Sequence, residues 1–173
     1  PDPRHFPSYR KASTKQGPGF RTAAQRTASA QAFRRGASTY HDVRPGYPDE
    51  VTALIAPAHT VADIGAGPGK LTEPLPNERV IPLEPSADMA GVLASRLHLP
   101  VLRATAENTA LADASLDAAC LAQTWHWVDV AAACAELDRV LAPGGKILLV
   151  WNTLDVNADP WVLRLSRIMH SGC

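Results

Sequence analysis

The chain has little of what metal, disulfide or membrane chemistry requires. Its three cysteines, Cys120, Cys134 and Cys173, form no CxxC pair, and its six histidines are scattered, so no metal site is expected. So sparse and odd a set points to reduced thiols in a reducing, cytoplasmic compartment. Cys120 and Cys134 fall in apolar surroundings and are expected in the core. No window supplies the ~18 uninterrupted apolar residues of a membrane span, and no membrane partner is expected. Acids are scarce at one end: through Arg35 there is only Asp2, against eight Lys or Arg.

What is there is a 173-residue chain, 46% apolar and 20% charged, a composition that predicts one soluble globular domain. The formal net charge of zero hides an asymmetry, because the residues after Arg35 carry a net of −7. Residues 1–32 are rich in Pro, Ser, Thr, Ala, Gln and Arg, and are expected to be a basic, disordered leader. A transit peptide and a nucleic-acid tail are its functional alternatives. The acidic body argues against a wide phosphate-binding face, so nucleic acid is not the expected partner.

From residue 33 to 173 the pattern alternates between helix and strand. "YPDEVTALIAP" has Val51, Leu54 and Ile55 at helical spacing. Strands are expected at "TVADIG", at "RVIPLE" (despite Pro82), at "VLRAT", at "SLDAACLA" and at "KILLVW" after a "PGG" break. "SADMAGVLASRL" starts with a Ser N-cap and places Met89, Val92, Leu93 and Leu97 on one face. "VDVAAACAELDRVLA" carries a stripe of Val130, Cys134, Leu137 and Leu141, and "DPWVLRLSRIM" follows the fifth strand as a helix. Helices alternating with doubly apolar strands predict an α/β fold, a Rossmann-like, doubly wound, mostly parallel sheet with helices on both faces. Ligands of such sheets bind beyond the carboxyl ends of the strands, where the strand order reverses.

"DIGAGPG" follows the first strand and puts Gly65, Gly67 and Gly69 at that edge. Glycine allows positive φ and removes the Cβ that holds a ligand away from the backbone. A dinucleotide fingerprint, G-x-G-x-x-G, needs a third glycine where Lys70 stands. A phosphate loop needs glycine where Ile64 stands and Ser or Thr where Leu71 stands. Neither fits. Glu84, at the end of the second strand, places a carboxylate where both hydroxyls of a ribose can be held. A nucleoside with a ribose and no pyrophosphate satisfies both observations, and S-adenosylmethionine is such a ligand.

"DIGAGPGKLT", "PLEPSADM", "ATAENTAL", "AQTWHW" and "RVLAPGGKILLVWN" occur in the order and spacing of class I S-adenosylmethionine-dependent methyltransferases, which the chain resembles from about Phe33 to Trp161. "YHDVRPGYP" is similar to the opening segment of the subgroup with trans-aconitate methyltransferase-like and UbiE-like small-molecule enzymes. The resemblance implies that Asp63, Gly65, Ala66 and Gly67 line the methionine part of the cofactor and that Glu84 holds the ribose. Met89 would pack near the adenine, with Ala106 and Glu107 at its edge and Gln123 after the fourth strand. Met89 as plain helix core and Glu107 as a solvated loop acid are the ordinary alternatives. Tyr40 and Arg44 would close over the cofactor, or Arg44 would meet an acidic acceptor.

Methyl transfer from a sulfonium is an in-line displacement, so the protein mainly aligns the partners and excludes water. An oxygen or carbon acid as acceptor can also need a general base. His126, in "QTWHW", is the catalytic candidate for base or acceptor-orienting group, with structural packing between Trp125 and Trp127 as the alternative. The expected partner is a small-molecule methyl acceptor. Two departures stand out. Pro74 and Pro76 shorten the helix after the glycine loop, and the family's C-terminal β-hairpin is absent after the fifth strand. That absence leaves a fragment, a partner-completed sheet or a degraded, cofactor-binding module as readings. Self-association through the exposed fifth strand is then expected.

Overall fold

The computed structural model describes residues 45–153, 155, 159–162, 164 and 165. The basic leader, Tyr40, Arg44 and Cys173 lie outside the described residues. At the centre stands β1 (Thr60–Ile64), buried along its whole length. It pairs in parallel with β2 (Arg79–Leu83) on one side and β3 (Leu116–Ala122) on the other. β4 (Leu141–Val150) lies parallel beside β3, giving the order β2-β1-β3-β4. The chain steps outward from β1 to β2 and then crosses back to β3. The order therefore reverses between β1 and β3, which makes their carboxyl ends the place for a ligand.

Alternate residues of the strands feed two separate cores. Ala62, Ile64, Leu83, Ala119 and Leu121 join Ala133, Leu137 and Val140 on one face. Val61, Ala118 and Cys120 join Ile55, Leu71 and Leu75 on the other. A sheet apolar on both sides needs cover on both, as the strand composition predicts.

Several elements differ from the sequence pattern for local reasons. The strand expected at 101–105 shrinks to one bridge between Leu102 and Leu83. Leu102 N donates to Pro82 O and Glu84 N donates to Leu102 O, each at 2.9 Å. Extending that ladder backwards would call on the amides of Pro82 and Pro100, and proline has no N–H to give. Residues 67–74 after the glycine loop form turns rather than a helix, since Pro74 and Pro76 remove two donors. The first helix, α1 (Asp49–Ala53), continues only as turns whose amides reach back three residues, from Leu54 to Val51 and from Ile55 to Thr52. β4 begins earlier than expected, but its register jumps from Leu116↔Leu141 to Ala118↔Lys146, so Pro143, Gly144 and Gly145 still interrupt the ladder. Of the expected last helix, residues 160–162, 164 and 165 are helical and the remainder lies outside the described residues.

Helix α2 (Ala87–Leu97) buries Met89, Ala90 and Leu93 and ends on His98 in the left-handed region. Helix α3 (Val130–Val140) is capped by Asp129, whose carboxylate accepts from Ala132 N at 3.1 Å. Its buried face is Ala133, Leu137 and Val140, which corrects the stripe through Val130 and Cys134. Val130 is half exposed and Cys134 is exposed. Ala133 is fully buried in the same cluster as Ala119 and Leu121 of β3. Cys120 is fully buried, as expected. Among the described residues, β4 is an edge strand, with Ile147 in it and Trp151 just after it exposed. No helix among them is long and apolar enough to cross a membrane.

The loop between Leu102 and β3 is tied to α3 through Glu136. Its Oε1 accepts from Thr109 N (2.8 Å) and Thr109 Oγ1 (2.6 Å), and Arg139 donates to both carboxylate oxygens. Arg139 also reaches Asp113. The Arg139 hydrogen bonds, with those of Thr109, hold the Glu136 carboxyl down to about 2. A lowered folded-state pKa stabilises above the ordinary carboxylate range, and that contribution is lost as pH falls towards about 2. Glu136→Gln should therefore cost about 1.5–3 kcal/mol at pH 7, the scale of a hydrogen bond to a charged group. Urea denaturation at pH 7 and near pH 2 checks this, because the difference from wild type should shrink at the lower pH.

Candidate cofactor site

The three glycines of the loop after β1 serve three different purposes. Gly65 has φ +73°, and a Cβ there would sit 2.5 Å from both Cγ2 and Oγ1 of Thr124. The loop and the chain after β3 thus touch through a missing side chain. Gly69, at φ +92°, packs on α2, where a Cβ would meet Leu93 and Leu97 at 3.1 and 3.2 Å. Gly67, at φ +56°, has nothing within 4 Å of its would-be Cβ. Only Gly67 leaves open space, and that space is the cavity.

The loop is fixed by its own amides. Gly65 N and Ala66 N both donate to Leu83 O, at 2.8 and 3.0 Å. Gly67 N donates to Glu84 Oε2 at 2.8 Å, and Ser86 N donates to Glu84 Oε1 at 2.7 Å. Glu84 is buried at the end of β2, so two backbone amides pre-orient its carboxylate.

The cavity is about 310 Å³ and lies at the carboxyl ends of β1, β2 and β3, a size within the range of small-molecule sites. Asp63, Gly65, Ala66, Gly67, Glu84, Met89, Gln123 and His126 all line it. Gln123 stands at φ +56°, unusual for a side chain of that kind and typical of strained positions near function. Its amide donates to Val150 O (2.8 Å), and its side chain donates to Asn152 O (3.2 Å). His126 belongs to a single 3-10 turn, Trp125–Trp127, and its ring lies 4.8 Å from that of Trp127.

Two expected residues are elsewhere. Ala106 is buried within the core rather than on the cavity wall. Glu107 accepts from Asp129 N at 2.8 Å, at the start of α3, and is not among the residues that line the cavity.

Asp63 dominates the electrostatics. It is 1% exposed, and its Oδ2 accepts from Thr72 Oγ1 at 2.6 Å. Its Oδ1 is buried with no hydrogen-bond partner. Burial pushes its carboxyl up to about 6, partly offset by the Thr72 hydroxyl and reinforced by the Glu84 charge. Beside it in β3, Cys120 is pushed up by burial and by Asp63, which leaves the thiol unreactive.

Residues 62–149, from β1 to the end of the sheet, match the family described as "Methyltransferase domain". The chain belongs to the class I S-adenosylmethionine-dependent methyltransferase family. This methyltransferase domain is 43% identical over 142 residues to an uncharacterized methyltransferase of Mycobacterium tuberculosis, covering 79% of this chain and 58% of that protein. A solved structure assigned as a type II methyltransferase of Anaeromyxobacter dehalogenans is 32% identical with a TM-score of 0.63, over 73% of this chain and 57% of that one. A SAM-dependent methyltransferase of Thermotoga maritima is 29% identical with a TM-score of 0.60, over 79% and 67%. The methyltransferase domain thus spans 58% of the length of the mycobacterial relative.

An S-adenosylmethionine molecule fits the groups that this methyltransferase domain presents. The open space at Gly67 admits it close to the backbone, and the unpartnered Oδ1 of Asp63 lacks a positive counterpart. The sequence pattern missed Thr124, Ser86 and Lys70 on the cavity wall. Thr124 is betrayed only by its contact with Gly65, which no spacing rule reports. Ser86 is expected as an N-cap and takes that position. Its hydroxyl makes no cap bond and is buried without a partner.

Proposed function

We propose that this domain binds S-adenosylmethionine in the cavity and transfers its methyl group in line to a small-molecule acceptor. The observation that carries the reading is Glu84, a buried carboxylate held by Gly67 N and Ser86 N beside the opening at Gly67. When bound, the cofactor supplies an electrophilic methyl group on a sulfonium. Glu84 would accept from the ribose hydroxyls, Met89 would pack near the adenine, and Asp63, Gly65, Ala66 and Gly67 would line the methionine end. The wall formed by Gln123, Thr124, His126 and Trp127 would face the acceptor. There His126 would orient the acceptor or take its proton, while the tryptophan excludes water.

Family membership supports the cofactor, and the Trp127 ring on the acceptor wall supports a small organic acceptor. Transfer of a labelled methyl group to a panel of small carboxylic acids and phenols tests the reading. At least one acceptor should be methylated in proportion to enzyme. S-adenosylhomocysteine binding with no transfer to any acceptor would replace the enzyme with a cofactor-binding module.

A further inference from the structure

Thr72 is 3% exposed and sits in the turns after the glycine loop, its hydroxyl 2.6 Å from Asp63 Oδ2. A hydroxyl has a single proton to donate. Spent on Oδ2, it leaves Oδ1 as the uncompensated end of a buried carboxylate. Other ionisable groups surround the pair. Glu84 faces it from the end of β2 and adds negative charge, and Cys120 faces it from β3 as a neutral thiol. Lys70 on the glycine loop and His126 on the 3-10 turn line the same cavity. No hydrogen bond or ion pair joins either of these side chains to Asp63 among the described residues.

We infer that Thr72 is a positioning residue for Asp63, fixing one carboxylate oxygen so that the other meets the ammonium of an amino-acid ligand, and that binding is thereby coupled to proton release. This rests on the cofactor reading above. Burial keeps the ligand-free carboxyl protonated below about pH 6. A cation arriving at Oδ1 favours the ionised form, so the proton leaves Asp63 for the solvent as the ligand docks. The sign follows. Affinity for S-adenosylhomocysteine is flat above about pH 6 and weakens about tenfold per pH unit below it. Removing the Thr72 donor raises the carboxyl further and moves that break to higher pH.

Calorimetric titration with S-adenosylhomocysteine between pH 5 and pH 8, in two buffers of different ionisation enthalpy, counts the protons released and locates the break. Thr72→Val should shift the break upward, Thr72→Ser should restore it, and Asp63→Asn should abolish both the break and the proton release. If the valine variant does not fold, the serine and asparagine variants still decide. A loss of affinity in Thr72→Val that is equal at every pH would make Thr72 merely structural and overturn the inference. A break that survives in Asp63→Asn would belong to another group and overturn it as well. Wild-type binding with no pH dependence would sink this inference and leave the cofactor reading standing, whereas no binding at any pH would remove both.

Discussion

Gly65→Ala should destabilise the domain by about 2–5 kcal/mol. About 1–2 kcal/mol comes from forcing a Cβ into the left-handed region, at φ +73°. A further ~1–3 kcal/mol comes from overpacking, because the new methyl would lie 2.5 Å from two atoms of Thr124. Thr124 has little freedom to withdraw, since the single proton of its hydroxyl is shared between Ala122 O at 3.0 Å and Gly65 O at 3.3 Å. Against a typical total of about 5–15 kcal/mol, this is a large fraction of the stability. Gly67→Ala shares the backbone penalty at φ +56° but meets nothing within 4 Å. It should cost only that ~1–2 kcal/mol in stability while placing a methyl where the ligand must lie. Urea denaturation midpoints separate the two. Adding Thr124→Gly to Gly65→Ala should recover the overpacking share. Equal destabilisation by the two alanines would mean that Thr124 does not set the requirement at Gly65.

Glu84→Ala should weaken S-adenosylhomocysteine binding by about 1–3 kcal/mol, the scale for losing charge-assisted hydrogen bonds. That is a loss of about 5- to 150-fold in affinity. The variant also removes the acceptor for Gly67 N and Ser86 N, so the glycine loop loses one of its anchors. The loop keeps the bonds from Gly65 N and Ala66 N to Leu83 O, so the fold should survive. Affinity measured on a folded variant, with melting temperature as the control, checks the prediction. An unchanged dissociation constant would take Glu84 out of the site.

Much of this architecture is legible in the sequence because the strands are short apolar runs with no competing period. β1 and β3 could be placed from "TVADIG" and "SLDAACLA", and the site followed from the glycines and Glu84 that terminate β1 and β2. What escaped was decided by distance rather than by pattern. The strand at 101–105 reads as extended, but Pro82 and Pro100 withhold the donors that a second strand edge would use. The rotation of α3 depends on which of several alanines meets the sheet, and hydrophobicity alone does not rank Ala133 above its neighbours. Ala106 and Glu107 follow the family's order, yet the core takes the first, and the start of α3 takes the second. Thr72 and Thr124 are single polar residues whose importance lies in a contact with Asp63 or Gly65. Tyr40 and Arg44 fall outside the described residues.

As proposed, the space beside Gly67 and Glu84 is a nucleoside site without a pyrophosphate subsite. Calorimetric titration of the wild-type chain with S-adenosylhomocysteine, and in parallel with NAD, tests it most directly. Saturable one-to-one heat is expected with S-adenosylhomocysteine and none with NAD. Binding of NAD with no response to S-adenosylhomocysteine would contradict it.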